Sequence, residues 1–324
     1  MIIGFFRDNQ PFTYILLFLI ALLLWGGAFA HVPYVALNYK MPLFDLVAHY
    51  INVRSYYIVL FTFITIIGTG IIINYTVNKY DILTKHSTLP ALLYVLLMSC
   101  TDTLITLHPS VLANFFIALS FNRVFATYKQ QSALTQLFDA GLLLGIASLF
   151  YLPSVLIYLA LIVALIIFNT FNWRQWVVTF LGLITPYLIV LSYYFYTDKL
   201  GFFWEQKIMF PLHLSNDLNA GTTSTYVLLA ILFFVCTFSV VKLFDEYSSY
   251  TIKTRQALSY LLWFALCAFA SVFVAPTWTF KDFALLALPF SIVISNYFIN
   301  ITREWMAETL FIMLLSCAVF IHYF

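Results

Sequence analysis

Residues 140–168, AGLLLGIASLFYLPSVLIYLALIVALIIF, carry no charged side chain at all. A stretch this long and this apolar has no place on the surface of a water-soluble domain, and it exceeds the roughly 20 residues that one spanning helix needs. It is one of many such runs. Apolar segments cover 12–30, 55–74, 90–107, 110–128, 138–152, 154–170, 176–197, 224–242, 257–275, 282–300 and 306–323, separated by short polar clusters. Composition agrees with this pattern. Hydrophobic residues make up 63% of the 324, and charged residues only 9%, against about 25% in soluble domains. The mean hydropathy is +0.96. So few charges cannot cover a globule of this size, which excludes a soluble enzyme, a disordered chain and a coiled coil. The expectation is an all-α polytopic transmembrane helical bundle of about 11 spans, forming a single integral-membrane domain over 1–324.

The run at 140–168 controls the topology. It reads either as one kinked helix or as two short helices turning at Leu152-Pro153-Ser154. Basic residues favour the cytoplasmic side of a membrane. With two helices and a cytoplasmic N-terminus, Arg7, Lys79, Lys85, Arg123, Lys129, Arg174, Lys242, Lys253, Arg255 and Arg303 lie inside. Lys40, Arg54, Lys199, Lys207 and Lys281 lie outside. The single-helix alternative gives a nearly even split. The two-helix arrangement is therefore expected, with the N-terminus inside, on the cytoplasmic face, and the C-terminus outside. Arg7, the first apolar run and Ala28-Phe29-Ala30 resemble a signal peptide. The length of the run and Asp8 favour an uncleaved anchor.

Two outer loops stand out, at about 31–54 and 198–223. In the first, Leu43, Phe44, Leu46, Val47, Tyr50 and Ile51 have helical spacing, with Lys40, Asp45 and His49 off that stripe. This pattern predicts an amphipathic helix lying at the membrane surface. In this topology Asp45, Asp102 and Asp282 all lie near the outer face. Such carboxylates could hold a divalent cation through oxygen ligands, or supply a general base. Arg54, Lys207 and Lys281 could hold a phosphate group, and His108 stands at the adjoining turn. Each has a plainer reading. Asp45 could be solvated, Asp102 could bond a neighbouring helix, Asp282 could be an N-terminal helix charge, and His108 before Pro109 could be a turn residue. Cys100, Cys236, Cys267 and Cys317 lie in apolar runs and form no CxxC pair, so they read as small buried hydrophobes. The net charge of +2 is too small to suggest nucleic acid. No HExxH, GxSxG or Walker pattern occurs, and no chain of acids crosses the mid-membrane as an ion-coupled transporter would want.

Taken in order, several features resemble the membrane half of the GT-C superfamily, the polyprenyl-phosphate-dependent glycosyltransferases. They are a basic first helix, a long outer loop holding Asp45, the tight hairpin Leu107-His108-Pro109-Ser110, the segment with Gly141, Gly145 and Pro153, and Lys281-Asp282 followed by Pro289. Over nearly the whole chain the sequence also resembles an uncharacterised family of Bacteroidota inner-membrane proteins that begin MI-x-x-FF-[RK], here Met1-Ile2-Ile3-Gly4-Phe5-Phe6-Arg7. The GT-C resemblance implies a polyprenyl-phosphate-linked sugar bound in an outward cavity. Asp45 would act as base or metal ligand, Asp102 as a second acid, and Lys281 would approach the donor phosphate, with Arg54, His108, Lys207 and Asp282 binding substrate. Asp45 lacks the adjacent acid common in that superfamily. Two other readings stand beside the transferase: a non-catalytic subunit or assembly factor of a cell-envelope complex, and a small-solute or lipid transporter.

Overall fold

The computed structural model describes residues 2–8, 10–30, 41–50, 56–100, 107–128, 130, 133–168, 172–204, 223–275, 280–301 and 304–323. Every regular element among them is helical. In chain order the helices are α1 (Ile2–Phe6), α2 (Pro11–Ala30), α3 (Pro42–Tyr50), α4 (Tyr56–Lys79), α5 (Leu89–Met98), α6 (Pro109–Ala126) and α7 (Leu134–Phe150). They continue as α8 (Ile157–Ile167), α9 (Trp173–Tyr196), α10 (Thr223–Asp245), α11 (Ile252–Val274), α12 (Ala287–Asn300) and α13 (Glu304–Tyr323). Short 3-10 segments at Leu152–Leu156 and Phe280–Leu286 lead into α8 and α12. Each apolar run expected from the sequence overlaps one of these helices, and residues 101–106 of the run at 90–107 lie outside the described residues. Six described helices are long and apolar enough to cross a membrane: 11–30, 56–79, 109–126, 173–196, 252–274 and 281–300.

The run at 140–168 is two helices. Tyr151 is extended (φ −142°, ψ 101°), and Pro153 sits in the 3-10 segment that follows. The packing of α7 shows what this break achieves. A Cβ at Gly141 would overlap the Thr179 carbonyl, one at Gly182 would overlap the Phe138 carbonyl, and one at Gly145 would stand 2.5 Å from the Leu183 carbonyl. The Tyr187 hydroxyl donates to Ser148 Oγ at 2.7 Å. Contacts therefore advance along both helices together, from 138 with 182 to 148 with 187, so α7 and α9 run parallel. Parallel neighbours require the chain to return between them, and α8 with its 3-10 lead-in makes that return. Eleven α-helical residues and five 3-10 residues rise about 27 Å, close to the ~30 Å of a hydrocarbon core. Against α6, by contrast, α7 runs antiparallel: Phe116 stacks on Phe150, Ser120 Oγ donates to the Ala140 carbonyl, and Arg123 pairs with Asp139 at 3.6 Å. That last pair is half-exposed and contributes little.

α12 is the central post. Its span is the most enclosed of the six (89% of the apolar window buried), whereas that of α9 is the least (22%). Ser291, Ser295 and Asn296 are buried on α12. Small residues of this kind let neighbouring helices approach closely where no hydrophobic driving force separates protein from lipid. The amino-terminal segment is tied to this post. Ile3 and Phe6 are buried, and the Phe6 carbonyl accepts from Thr88 N–H at 3.0 Å. Arg7 Nη2 donates to the Phe298 carbonyl at 3.0 Å, in the last turn of α12. Within α2, Trp25 Nε1 donates to Ser99 Oγ at 2.9 Å, and Tyr14 accepts from Asn74. The described residues of 2–30 thus pack as part of the bundle.

α3 lies across the ends of α4, α6 and α7. Met41 and Phe44 are buried in a small cluster with Ile58, Leu107, Leu112 and Phe150. The expected amphipathic stripe holds for Leu43, Phe44 and Val47, but Leu46 is 57% exposed. Leu46 stands two residues from Phe44, and i and i+2 positions diverge on a helix.

The glycine contacts make a direct prediction. Gly182→Val places two branches where the Phe138 carbonyl already lies, and backbone cannot rotate aside as a side chain can. It will cost more than the ~1–3 kcal/mol of ordinary overpacking and remove the monodisperse peak in detergent gel filtration. Gly68→Ala, with no heavy atom within 4 Å of the new Cβ, will leave that peak in place.

Candidate functional site

The candidate site forms where the amino-terminal end of α6, the break after α7 and the 3-10 segment before α12 meet. This is the end expected to face outward. The segment 280–286 is a 3-10 helix, whose i→i+3 bonds have poorer geometry than α-helical ones, so further donors to its carbonyls help to hold it. α6 supplies two, one turn apart. Ser110 Oγ donates to the Lys281 carbonyl at 3.1 Å, and Asn114 Nδ2 donates to the Ala284 carbonyl at 2.7 Å. These bonds fix the segment between Lys281 and Ala284.

Asp282 lies inside this clamp and is 1% exposed. A carboxyl so deeply buried needs a donor. Tyr151, itself 2% exposed, donates its hydroxyl to Asp282 Oδ1 at 2.5 Å. The helix break at Tyr151 therefore also aims the phenol at the acid. The His108 ring lies 6.0 Å from the Tyr151 ring, centroid to centroid. His108 caps α6: its Nδ1 accepts the Ser110 N–H at 3.2 Å and stands 2.6 Å from Ser110 Oγ. A ring nitrogen that accepts a backbone N–H leaves the proton on Nε2 in the neutral ring. Burial, and secondarily the nearby Lys281 ammonium, push the imidazole pKa well below the usual histidine range. Lys281 is half-buried. Its ammonium makes no hydrogen bond or ion pair among the described residues.

The expected site residues divide as follows. His108, Lys281 and Asp282 come together. Asp45, half-buried on α3, lies within electrostatic reach of Tyr194 on α9. The two described acids thus have different tyrosine neighbours on different elements. Asp102, Arg54 and Lys207 lie outside the described residues. Among the described residues no group of three or more His, Cys, Asp or Glu is placed to hold a metal.

Two features escaped the sequence. Tyr151 reads there as one more aromatic in a chain rich in them. Its position immediately before Leu-Pro-Ser, where a helix must end, was the available signal. The second is an apolar cleft of about 750 Å³ between α10 and α11, floored by α12. Phe283 and Ala284, directly after Asp282, line it, as do Leu97 in the last turn of α5 and Cys100 just beyond that helix. Its size falls within the roughly 300–1,000 Å³ of ligand pockets.

Comparison with known families adds one result. Residues 34–324 match the model of a family of unknown function (DUF6427). The chain belongs to that family. No curated protein and no solved structure matches it.

Two predictions follow from the geometry. Tyr151→Phe removes the donor to Asp282 and will lower stability by about 1–3 kcal/mol, measured by thermal denaturation in detergent. The second concerns pH. The unfolded chain protonates His108 near 6.5 whereas the folded chain resists protonation until well below that. The unfolded state then binds more protons, so stability is full above 6.5 and falls as pH drops, by up to ~1.4 kcal/mol per unit. His108→Gln will flatten the Tm-against-pH curve between pH 6.5 and 5.

Proposed function

We propose that this protein is a GT-C-like integral-membrane glycosyltransferase of the bacterial inner membrane, using a polyprenyl-phosphate-linked sugar at the periplasmic face. The reading includes eleven crossings, a cytoplasmic N-terminus and a periplasmic C-terminus. The parallel packing of α7 and α9 supports that count, because it requires α8 to be a return crossing. The observation that carries the functional reading is Lys281. Its half-buried ammonium has no described ion-pair partner, and it sits beside a buried acid on a clamped segment that borders an apolar cleft. A cation held in this way beside apolar surface fits the phosphate of a lipid-anchored donor, since a charged hydrogen bond gains strength where water is excluded. In this reading Lys281 binds the donor phosphate, and Asp45 and Asp102 serve as acids or bases toward the acceptor. Arg54, Lys207 and His108 complete the binding surface, and Asp282 orients Lys281.

The non-catalytic alternative, a membrane subunit of an envelope complex, draws on a specific feature. Asp282 is fully enclosed and hydrogen-bonded to Tyr151, as a purely architectural acid would be.

The test is transfer of labelled sugar from a polyprenyl-phosphate donor by the purified protein in vesicles, using a panel of donors and acceptors. Lys281→Gln should raise the donor KM by roughly tenfold or more, about the loss of one charged hydrogen bond, with the folded fraction unchanged. Absence of transfer by the wild-type protein across the panel, with stable recovery of a partner protein by crosslinking, would favour the subunit reading.

A further inference from the structure

α10 and α11 are consecutive and joined only by the short turn around Tyr247–Ser249. Helices so connected usually pack on each other along their length. Among the described residues these two instead splay, each resting on α12. The gap between them is the apolar cleft. Leu232, Cys236 and Val240 of α10 face it at helical spacing, as do Leu262, Ala265 and Phe269 of α11.

We propose that this cleft binds one acyl chain of an anionic bilayer phospholipid, with the headgroup phosphate at Lys281. Four observations carry the assignment. Among the described residues no charged side chain lines the cleft, and the only heteroatom-bearing side chains there are the thiols of Cys100 and Cys236, which offer water few of the two to four partners it needs. A gap of this size left empty forfeits the dispersion contacts of both walls. The cleft lies between apolar helices and is partly open, and its lining residues Phe233 and Phe244 on α10 and Leu266 and Phe269 on α11 are themselves exposed. A chain can therefore enter from the bilayer. The lining residue Phe283 is two residues along the chain from half-buried Lys281, whose ammonium complements a phosphate. Phospholipid is the chain-bearing anion most abundant beside the protein, and occupancy follows concentration. The proposal does not rest on glycosyl transfer: a subunit or a transporter could carry the lipid throughout, and a transferase would hold it at Lys281 only while no donor is bound.

The experiment uses the full chain in vesicles of phosphatidylcholine with one part in five phosphatidylglycerol carrying a photoactivatable group on its acyl chain. After illumination, labelled peptides are quantified by mass spectrometry. Label is expected to concentrate on residues 232–244 and 262–269, above the level on the exposed face of α9 around Leu188 and Ile189. Ala265→Trp fills the cleft and should abolish that excess, while Leu188→Trp on α9 leaves it unchanged. Lys281→Gln should reduce the preference for phosphatidylglycerol over labelled phosphatidylcholine by about fivefold, the effect of one cation near an anionic headgroup. Label spread evenly over all exposed apolar helices in the wild-type protein would overturn the site, and this readout needs no variant to fold. Equal label in folded Ala265→Trp would also overturn it. Displacement of the phospholipid by an equimolar polyprenyl phosphate would reassign the cleft to the donor's chain.

Discussion

The two hydrogen bonds that α6 sends across to residues 280–286 are what the rest of the arrangement depends on. Inside a bundle surrounded by hydrocarbon, a 3-10 segment keeps only its own i→i+3 bonds, poorer than those of an α-helix, and finds no water to supplement them. The Ser110 and Asn114 side chains meet that need at the Lys281 and Ala284 carbonyls. Because they lie one turn apart on a single helix, they act as a rigid pair rather than two independent contacts. The segment they hold starts the central helix α12, so its register also sets where α5, α10 and α11 pack. It carries Lys281 and Asp282 as well, and the position of both charges is inherited from α6.

A second constraint brings Tyr151 to the same place. α7 and α9 approach until backbone touches backbone, which only Gly141, Gly145 and Gly182 allow. Their parallel course obliges the intervening chain to reverse at the end of α7. The reversal leaves one residue in extended conformation, and that residue is Tyr151. A packing requirement on one side of α7 thereby delivers a phenol to a buried acid on the other. The His108 cap, which reads Ser110 N–H through Nδ1, ties the start of α6 to the same corner. Three local necessities meet there: a helix start, a helix break and a non-α segment.

The membrane class, the helix positions and the break at Pro153 were legible in the amino-acid sequence because they depend on local composition and period. His108, Lys281 and Asp282 could be singled out one by one, since charge is conspicuous against so apolar a background. Their convergence could not, because it depends on the α6 clamp, and serine and asparagine at helix ends look like ordinary turn residues. Tyr151 was hidden among 22 tyrosines. The seating of α3 was legible through Phe44 and Val47, whereas the placement of Asp45 near Tyr194 depends on where α9 ends. The cleft left no local mark at all. The stripes on α10 and α11 that face it have the composition of lipid-facing surface, and only their failure to meet distinguishes them.

That failure to meet connects the cleft to the polar corner. α11 is held on one side by α8 and by residues 152–156 and 280–286, and α10 is held by α12 and α13. Each helix thus has a committed set of neighbours, and closing the gap would require breaking one of them. The clamp contributes to the splay, since the residues 280–286 that it holds are among the neighbours to which α11 is committed. Phe283 and Ala284 belong to both regions: they line the cleft, while the Ala284 carbonyl accepts from Asn114. Any molecule that enters the cleft touches the segment that positions Lys281 and Asp282. A substitution at Asn114 should therefore disturb cleft and charges together, whereas one deep in the cleft wall, on α10, leaves the charges where α6 holds them.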